Sequence, residues 1–174
     1  MKHTLIPCII ALTMTGCGPR EPSVDIWTAC ATGNTAAVKQ HIRFGTDLDA
    51  AEPKGGSSPL IVAALVGQTE VVRLLVENGA DINFQNGELS TALHTAAFFC
   101  HRKVVEYLLD HGADRELVNV YGRTPLGSVE GEWNDEVAGR YMAIAGALRL
   151  PIDLEEIRAS RPIIADLLRR NSDG

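Results

Sequence analysis

The feature that most constrains the fold is a repeat. Ser58-Pro59-Leu60-Ile61, Thr91-Ala92-Leu93-His94 and Thr124-Pro125-Leu126-Gly127 align with one another, and their first residues lie 33 positions apart (91 − 58 and 124 − 91). Asn78-Gly79-Ala80-Asp81 and His111-Gly112-Ala113-Asp114 keep the same interval. The apolar runs Val71-Val72-Arg73-Leu74-Leu75-Val76 and Val104-Val105-Glu106-Tyr107-Leu108-Leu109 fall between them in phase. A more divergent first unit fits from Val24, with Gly33-Asn34 over Gly67-Gln68 and Gly45-Thr46-Asp47 over Gly79-Ala80-Asp81. A fixed period of this length predicts stacked supersecondary units, none of which can bury its apolar face alone.

Each residue type in the repeat has a physical use. Proline after Ser58 or Thr124 presets φ for a first helical turn, where its missing N–H is no loss. Ala63-Ala64 and Ala96-Ala97 let helices approach closely, and Cys30 occupies the same slot in the first unit. Gly79 and Gly112 stand where a second helix ends in a left-handed residue. Only 5% of the 174 residues are aromatic against 45% hydrophobic, so the core is aliphatic, as close helix packing requires.

These residues resemble the ankyrin-repeat family, whose units are 33 residues long and carry a T-P-L-H-x-A stretch. The resemblance implies an all-α solenoid of helix-turn-helix units, about 24–57, 58–90 and 91–123, with the start of a fourth at 124 and a repeat body over 24–131. It also implies that His94 bonds between neighbouring loops. The equivalent positions are Trp27, Ile61 and Gly127, so that histidine network is largely absent. In such a fold the two residues before each turn glycine face a concave groove: Ala31-Thr32, Leu65-Val66 and Phe98-Phe99. Loop tips add Gln85, Gly87, Glu88, Val120 and Tyr121. Leu65, Val66, Phe98, Phe99, Val120 and Tyr121 are the partner-binding candidates, an apolar patch on an acidic surface.

After Leu126 the pattern departs from the family. Trp133 replaces the turn glycine, and the run Ile163-Ile164-Ala165-Asp166-Leu167-Leu168 begins 39 positions after Thr124 rather than 13, so roughly 26 residues are inserted on the family's period. The spacing predicts a helical C-terminal extension over 132–174. Asn134 caps a helix carrying Val137, Tyr141, Ile144, Ala145 and Leu148 on one side, and Pro151 stops it. A short helix begins after Asp153, and Pro162 opens a last one. Two arrangements are open: a cap that folds over Phe98 and Phe99, or an insertion that shapes a ligand groove.

The amino terminus reads as an address. Residues 1–16 combine Lys2 with an apolar stretch from Leu5 to Met14, well short of the ~20 residues that span a bilayer. Met14-Thr15-Gly16-Cys17 resembles a bacterial lipobox, which implies lipidation of Cys17 and cleavage after Gly16; an ordinary cleaved signal is the alternative. Residues 17–23 are then the lipidated cysteine and its tether, about 20 Å long at most from Gly18 to Ser23. Gly18 resembles an outer-membrane sorting signal. The implied location is the bacterial cell envelope, at the outer membrane and facing the periplasm.

Charge and side-chain chemistry narrow the function classes. Only Lys2 of the 16 Lys and Arg falls within residues 1–16, so the rest of the chain carries 15 basic against 22 acidic side chains. Such a body, with no basic stripe, points away from nucleic acid. His94 and His101 lack metal-ligand neighbours at a coordinating spacing, and no phosphate loop or nucleophile motif is present. No cofactor is expected. His41, His101 and His111, near the outer helix ends, read as solvated. Cys30 and Cys100 sit two repeats apart, about 20 Å at ~10 Å per layer, too far for a disulfide. The expectation is a monomeric, non-enzymatic scaffold that binds a protein partner at the membrane, with toxin neutralisation or support of a periplasmic enzyme as versions. The alternatives are a structural envelope lipoprotein without a groove ligand, and a redox role for Cys100.

Overall fold

Every inner helix begins the same way, with a short polar side chain accepting a backbone N–H and so satisfying a donor the helix leaves open. Asp25 accepts from Thr28, Ser58 from Ile61 and Thr91 from His94. In this computed structural model, which describes residues 21–170, the helices are α1 (Ile26–Ala31), α2 (Thr35–Phe44), α3 (Pro59–Leu65), α4 (Thr69–Glu77), α5 (Ala92–Phe98) and α6 (Arg102–Asp110). A single 3-10 turn (Leu126–Ser128) and two longer helices, α7 (Asp135–Leu148) and α8 (Leu154–Arg170), follow. No strand is found among the described residues. Residues 1–16, read from sequence as a signal, and Cys17 lie outside them.

The turn between inner and outer helix repeats closely. Asn34, Gln68 and His101 donate their N–H to the carbonyls of Ala29, Ala63 and Ala96 at 2.9, 3.0 and 2.9 Å. The residue before each is left-handed: Gly33 at φ 69°, Gly67 at φ 70° and Cys100 at φ 59°. At Gly67 the demand is double, because a Cβ there would lie 2.7 Å from His101 Nδ1.

Two rows result. α1, α3, α5 and the 3-10 turn stack as inner elements, while α2, α4, α6 and α8 stack as outer ones. The fourth unit is therefore present but altered: its inner helix is reduced to one turn, and its outer helix is the far half of α8. Ile164, Ala165 and Leu168 of α8 join one continuous core with Leu75, Leu93, Val105 and Leu108. Each fully buried Leu or Val contributes roughly 1.5–3 kcal/mol, and a solenoid gathers this only across the faces of adjoining units. The slot predicted for small residues is filled by Cys30, Ala64 and Ala97, all at 0% exposure.

The extension differs from expectation in one respect. Asn134 caps α7 through Val137 N–H, and Arg149 ends it at φ 54° just before Pro151. Beyond that, one continuous helix replaces the two expected, running through Pro162. A proline inside a helix removes one hydrogen bond and crowds the carbonyl four residues back, costing about 3 kcal/mol. Pro162 and Arg158 both lie on the exposed side of α8, where water can solvate the freed carbonyl. The adjoining, core-facing side is held by Ile157, Arg161, Ile164, Ala165 and Leu168, all buried.

Candidate binding surfaces

The six partner-binding candidates divide between two places. Val120 and Tyr121 sit at a loop tip, 53% and 66% exposed. The tip is fastened to its neighbour: Val120 N–H donates to the Glu88 carbonyl at 2.9 Å, and the Tyr121 hydroxyl reaches Glu88 Oε1 at 3.5 Å. Gln85 bridges the same loops by donating to the carbonyls of Leu89 and Val118. Leu89 and Val118 are themselves about half exposed, so this row of tips presents apolar side chains beside the Glu88 carboxylate.

Leu65, Val66, Phe98 and Phe99 lie at the other end of the inner helices, one seven-residue helix away, or about 10 Å at 1.5 Å per residue. Here the extension covers what the sequence left open. The Tyr141 ring of α7 stacks on Phe98 at 4.3 Å, and its hydroxyl donates to the Phe98 carbonyl at 2.8 Å. Phe99 packs edge-on against Phe98 and is buried. The two phenylalanines thus form the seam between repeats and extension rather than an open face. Leu65, Val66 and Phe99 line a cleft of about 410 Å³, together with Cys100, the connection Leu150–Asp153 and Ile157. The structure therefore brings three of the six together, places Phe98 under α7, and leaves Val120 and Tyr121 apart.

The histidines correct the reading from sequence. His41 and His101 are not solvated ends. His41 is buried, with Nε2 2.7 Å from the Val24 carbonyl and Nδ1 3.0 Å from Thr46 Oγ1. His101 Nε2 lies 3.0 Å from the Leu65 carbonyl, so its N–H ties the third unit to the second. His111 is exposed and bonds its own helix at Tyr107. His94 acts as the resemblance implies. Its Nδ1 accepts from Thr91, and its Nε2 donates to the Arg123 carbonyl at 3.0 Å, joining one loop to the next. Burial holds both His94 and His101 below the ordinary imidazole pKa. Only long-range backbone position could have shown the His41 and His101 contacts, whose partners lie 17 and 36 residues away.

The two described cysteines are free thiols. Burial pushes Cys30 up to about 12, and pushes Cys100 up to about 11 despite the nearby Arg161 guanidinium. A reactive thiolate needs the reverse shift, so the geometry gives a redox role for Cys100 no support. Among the described residues no group of three or more His, Cys, Asp and Glu is placed to hold a metal ion, and no helix is long and apolar enough to cross a membrane.

The residues missed by sequence reading are Tyr141 and Arg161 as a pair. Arg161 is 5% exposed, donates to the Tyr141 hydroxyl at 3.0 Å and to the Glu130 carbonyl at 3.1 Å, and lies about 6 Å from the Trp133 and Tyr141 ring centroids. An arginine among apolar positions of α8 was the available signal.

Comparison with known proteins agrees with this geometry. A family model described as ankyrin repeats (3 copies) matches residues 26–119. A B-cell lymphoma 3 protein homolog of Mus musculus is 39% identical over 106 residues, 61% of this chain and 24% of that protein. A palmitoyltransferase AKR1 of Lachancea kluyveri is 39% identical over 100 residues, 54% of this chain and 13% of that protein. The crystal structure of the ankyrin repeat domain of Bcl-3 superposes with a TM-score of 0.57 at 32% identity, covering 66% of this chain and 49% of the other. The chain thus spans less than a quarter of the length of these two curated relatives and about half of the solved domain.

Proposed function

The chain belongs to the ankyrin-repeat family, and on that premise we propose that it is a membrane-tethered scaffold holding a protein partner in the bacterial cell envelope. Ankyrin repeats generally bind protein partners, which supports the coarse part of the reading. The tether rests on the sequence alone, on Met14-Thr15-Gly16-Cys17 and the apolar stretch before it. Neutralising a toxin or supporting a periplasmic enzyme would each use the same presentation of a rigid surface near the leaflet.

The observation that carries the reading is the row of loop tips. Leu89, Val118, Val120 and Tyr121 are each 46–66% exposed and sit together beside Glu88, while the phenylalanines at the other end are covered. Exposed apolar side chains beside the Glu88 carboxylate favour a partner that offers both an apolar anchor and a basic group. Val120→Asp with Tyr121→Asp tests it. Partner retention by the purified chain should fall at least tenfold with the melting temperature unchanged; unaltered retention would remove the tips from the interface. Replacing Cys17 by Ser should move the full chain from the membrane to the soluble fraction and abolish labelling by a radioactive fatty acid. The covering of Phe98 by α7 favours a second reading, a structural envelope lipoprotein whose repeats serve only as a spacer; it predicts no effect of the tip substitutions.

A further inference from the structure

Arg161 is a buried cation without a counter-charge. It is 5% exposed, yet no carboxylate among the described residues lies within ion-pair distance of it. Its two hydrogen bonds go to neutral oxygens, the Tyr141 hydroxyl and the Glu130 carbonyl. The Trp133 and Tyr141 rings offset part of its desolvation but supply no charge. Buried charges in folded proteins are ordinarily paired, and a guanidinium offers five N–H donors, of which these bonds use two.

The neighbouring acids are already engaged. Arg169 takes Glu130 at 2.7 Å and Asp166 at 3.1 Å. Arg158, three residues before Arg161 on α8, meets among the described residues one carboxylate, Glu155, at 4.0 Å with both side chains exposed. Arg158, Arg161 and Arg169 fall within one broad face of the helix, and all three line a cleft of about 380 Å³ together with Glu130, Gly131, Trp133 and Asp166. Arg169 holds both lining carboxylates, so on a chain of net charge −6 three arginines against two acids leave this cleft one positive charge in surplus, next to an aromatic ring.

We propose that the cleft between α8 and the Val129–Trp133 segment binds an oxyanionic group, a carboxylate or a phosphate, with Arg161 as its buried contact and Arg158 as the exposed one. A planar guanidinium fits either group through paired N–H donors. The site lies away from the loop tips and stands independently of the partner reading.

Calorimetric titration of the full chain at constant ionic strength, with chloride as the reference, tests it. Inorganic phosphate, acetate, and an acetylated tripeptide with a free or an amidated carboxyl end are the four probes. At least one of the three anionic probes should bind saturably, and the amidated peptide should not. Phosphate alone binding would assign a phosphate group, and the free-acid peptide binding over its amide would assign a chain-borne carboxylate. Arg158→Gln, at an exposed position, should weaken that binding three- to tenfold with the melting temperature unchanged. Arg161→Lys should weaken it more than tenfold, and the wild-type Arg161 Nε–H resonance should shift with the same saturation curve. No saturable binding by any anionic probe, or equal binding by both variants, would overturn the proposal.

Discussion

The three regular repeats and the altered fourth unit hold themselves together by different means. In the regular units the inner interface is made of small side chains, Cys30, Ala64 and Ala97, and the buried polar groups are hydroxyls and imidazoles: Ser58, Thr91, His41 and His94. The fourth unit keeps one turn of its inner helix and is fastened by Tyr141 and Arg161, with Trp133 stacked beside them, a network that ties α7, α8 and the Val129–Trp133 segment to the Phe98 carbonyl. Among the described residues the departure from the repeat falls after the third unit. There, a network of hydrogen bonds to charge stands in for most of a shortened helix.

The largest effect should come from the regular core. Leu93→Ala, at a fully buried position in α5 with units on both sides, should destabilise by about 3–5 kcal/mol in urea unfolding. Leu168→Ala in α8, which among the described residues meets a repeat unit on one side, should cost about 2 kcal/mol; equal losses would mean that the fourth unit packs as the others do. Next is Arg161→Ala, which leaves the Tyr141 hydroxyl and Glu130 carbonyl without their donor and should cost about 2–3 kcal/mol. Amide exchange should then quicken in α7 and leave α3 and α4 untouched; deprotection throughout would contradict the separation drawn between the regions. Tyr141→Phe keeps the stack on Phe98 and removes only the hydroxyl, for about 1 kcal/mol.

The smallest effect is a pH dependence confined to the regular repeats. His94 and His101 have folded-state pKa values below the ordinary 6.5 because burial disfavours the charged ring. The unfolded chain therefore takes up protons first as pH falls. Their stabilisation is full above about 6.5 and is lost as pH drops from there toward the folded-state values. Thermal melts from about pH 7.5 to 5.5 should show a steady decline that is reduced in His101→Gln. A flat profile would mean that neither ring is buried.

What was legible in the sequence follows the same division. The repeats write the same local instructions three times, so the helix start at Pro59 and the small residues at 64 and 97 could be read directly. The Asn134 cap and the end of α7 before Pro151 were legible for the same reason, since both depend on a few adjacent residues. Distance along the chain set the limit. The cover over Phe98 comes from a residue 43 positions away, and the His101 contact spans 36. Pro162 misled because its effect depends on which side of α8 faces water, a property of the assembled molecule.

The row of tips has one further consequence. At its amino end Gly87 N–H donates to the Gly55 carbonyl at 3.1 Å, and a Cβ on Gly56 would lie 3.2 Å from Gly87 N, so bare peptide groups meet there. At its carboxyl end Glu88, Val120 and Tyr121 stand outward. A ligand laid along this edge would find polarity of direction, smooth amide at one terminus and bulky anchors at the other. Turned end for end, it would lose its footing.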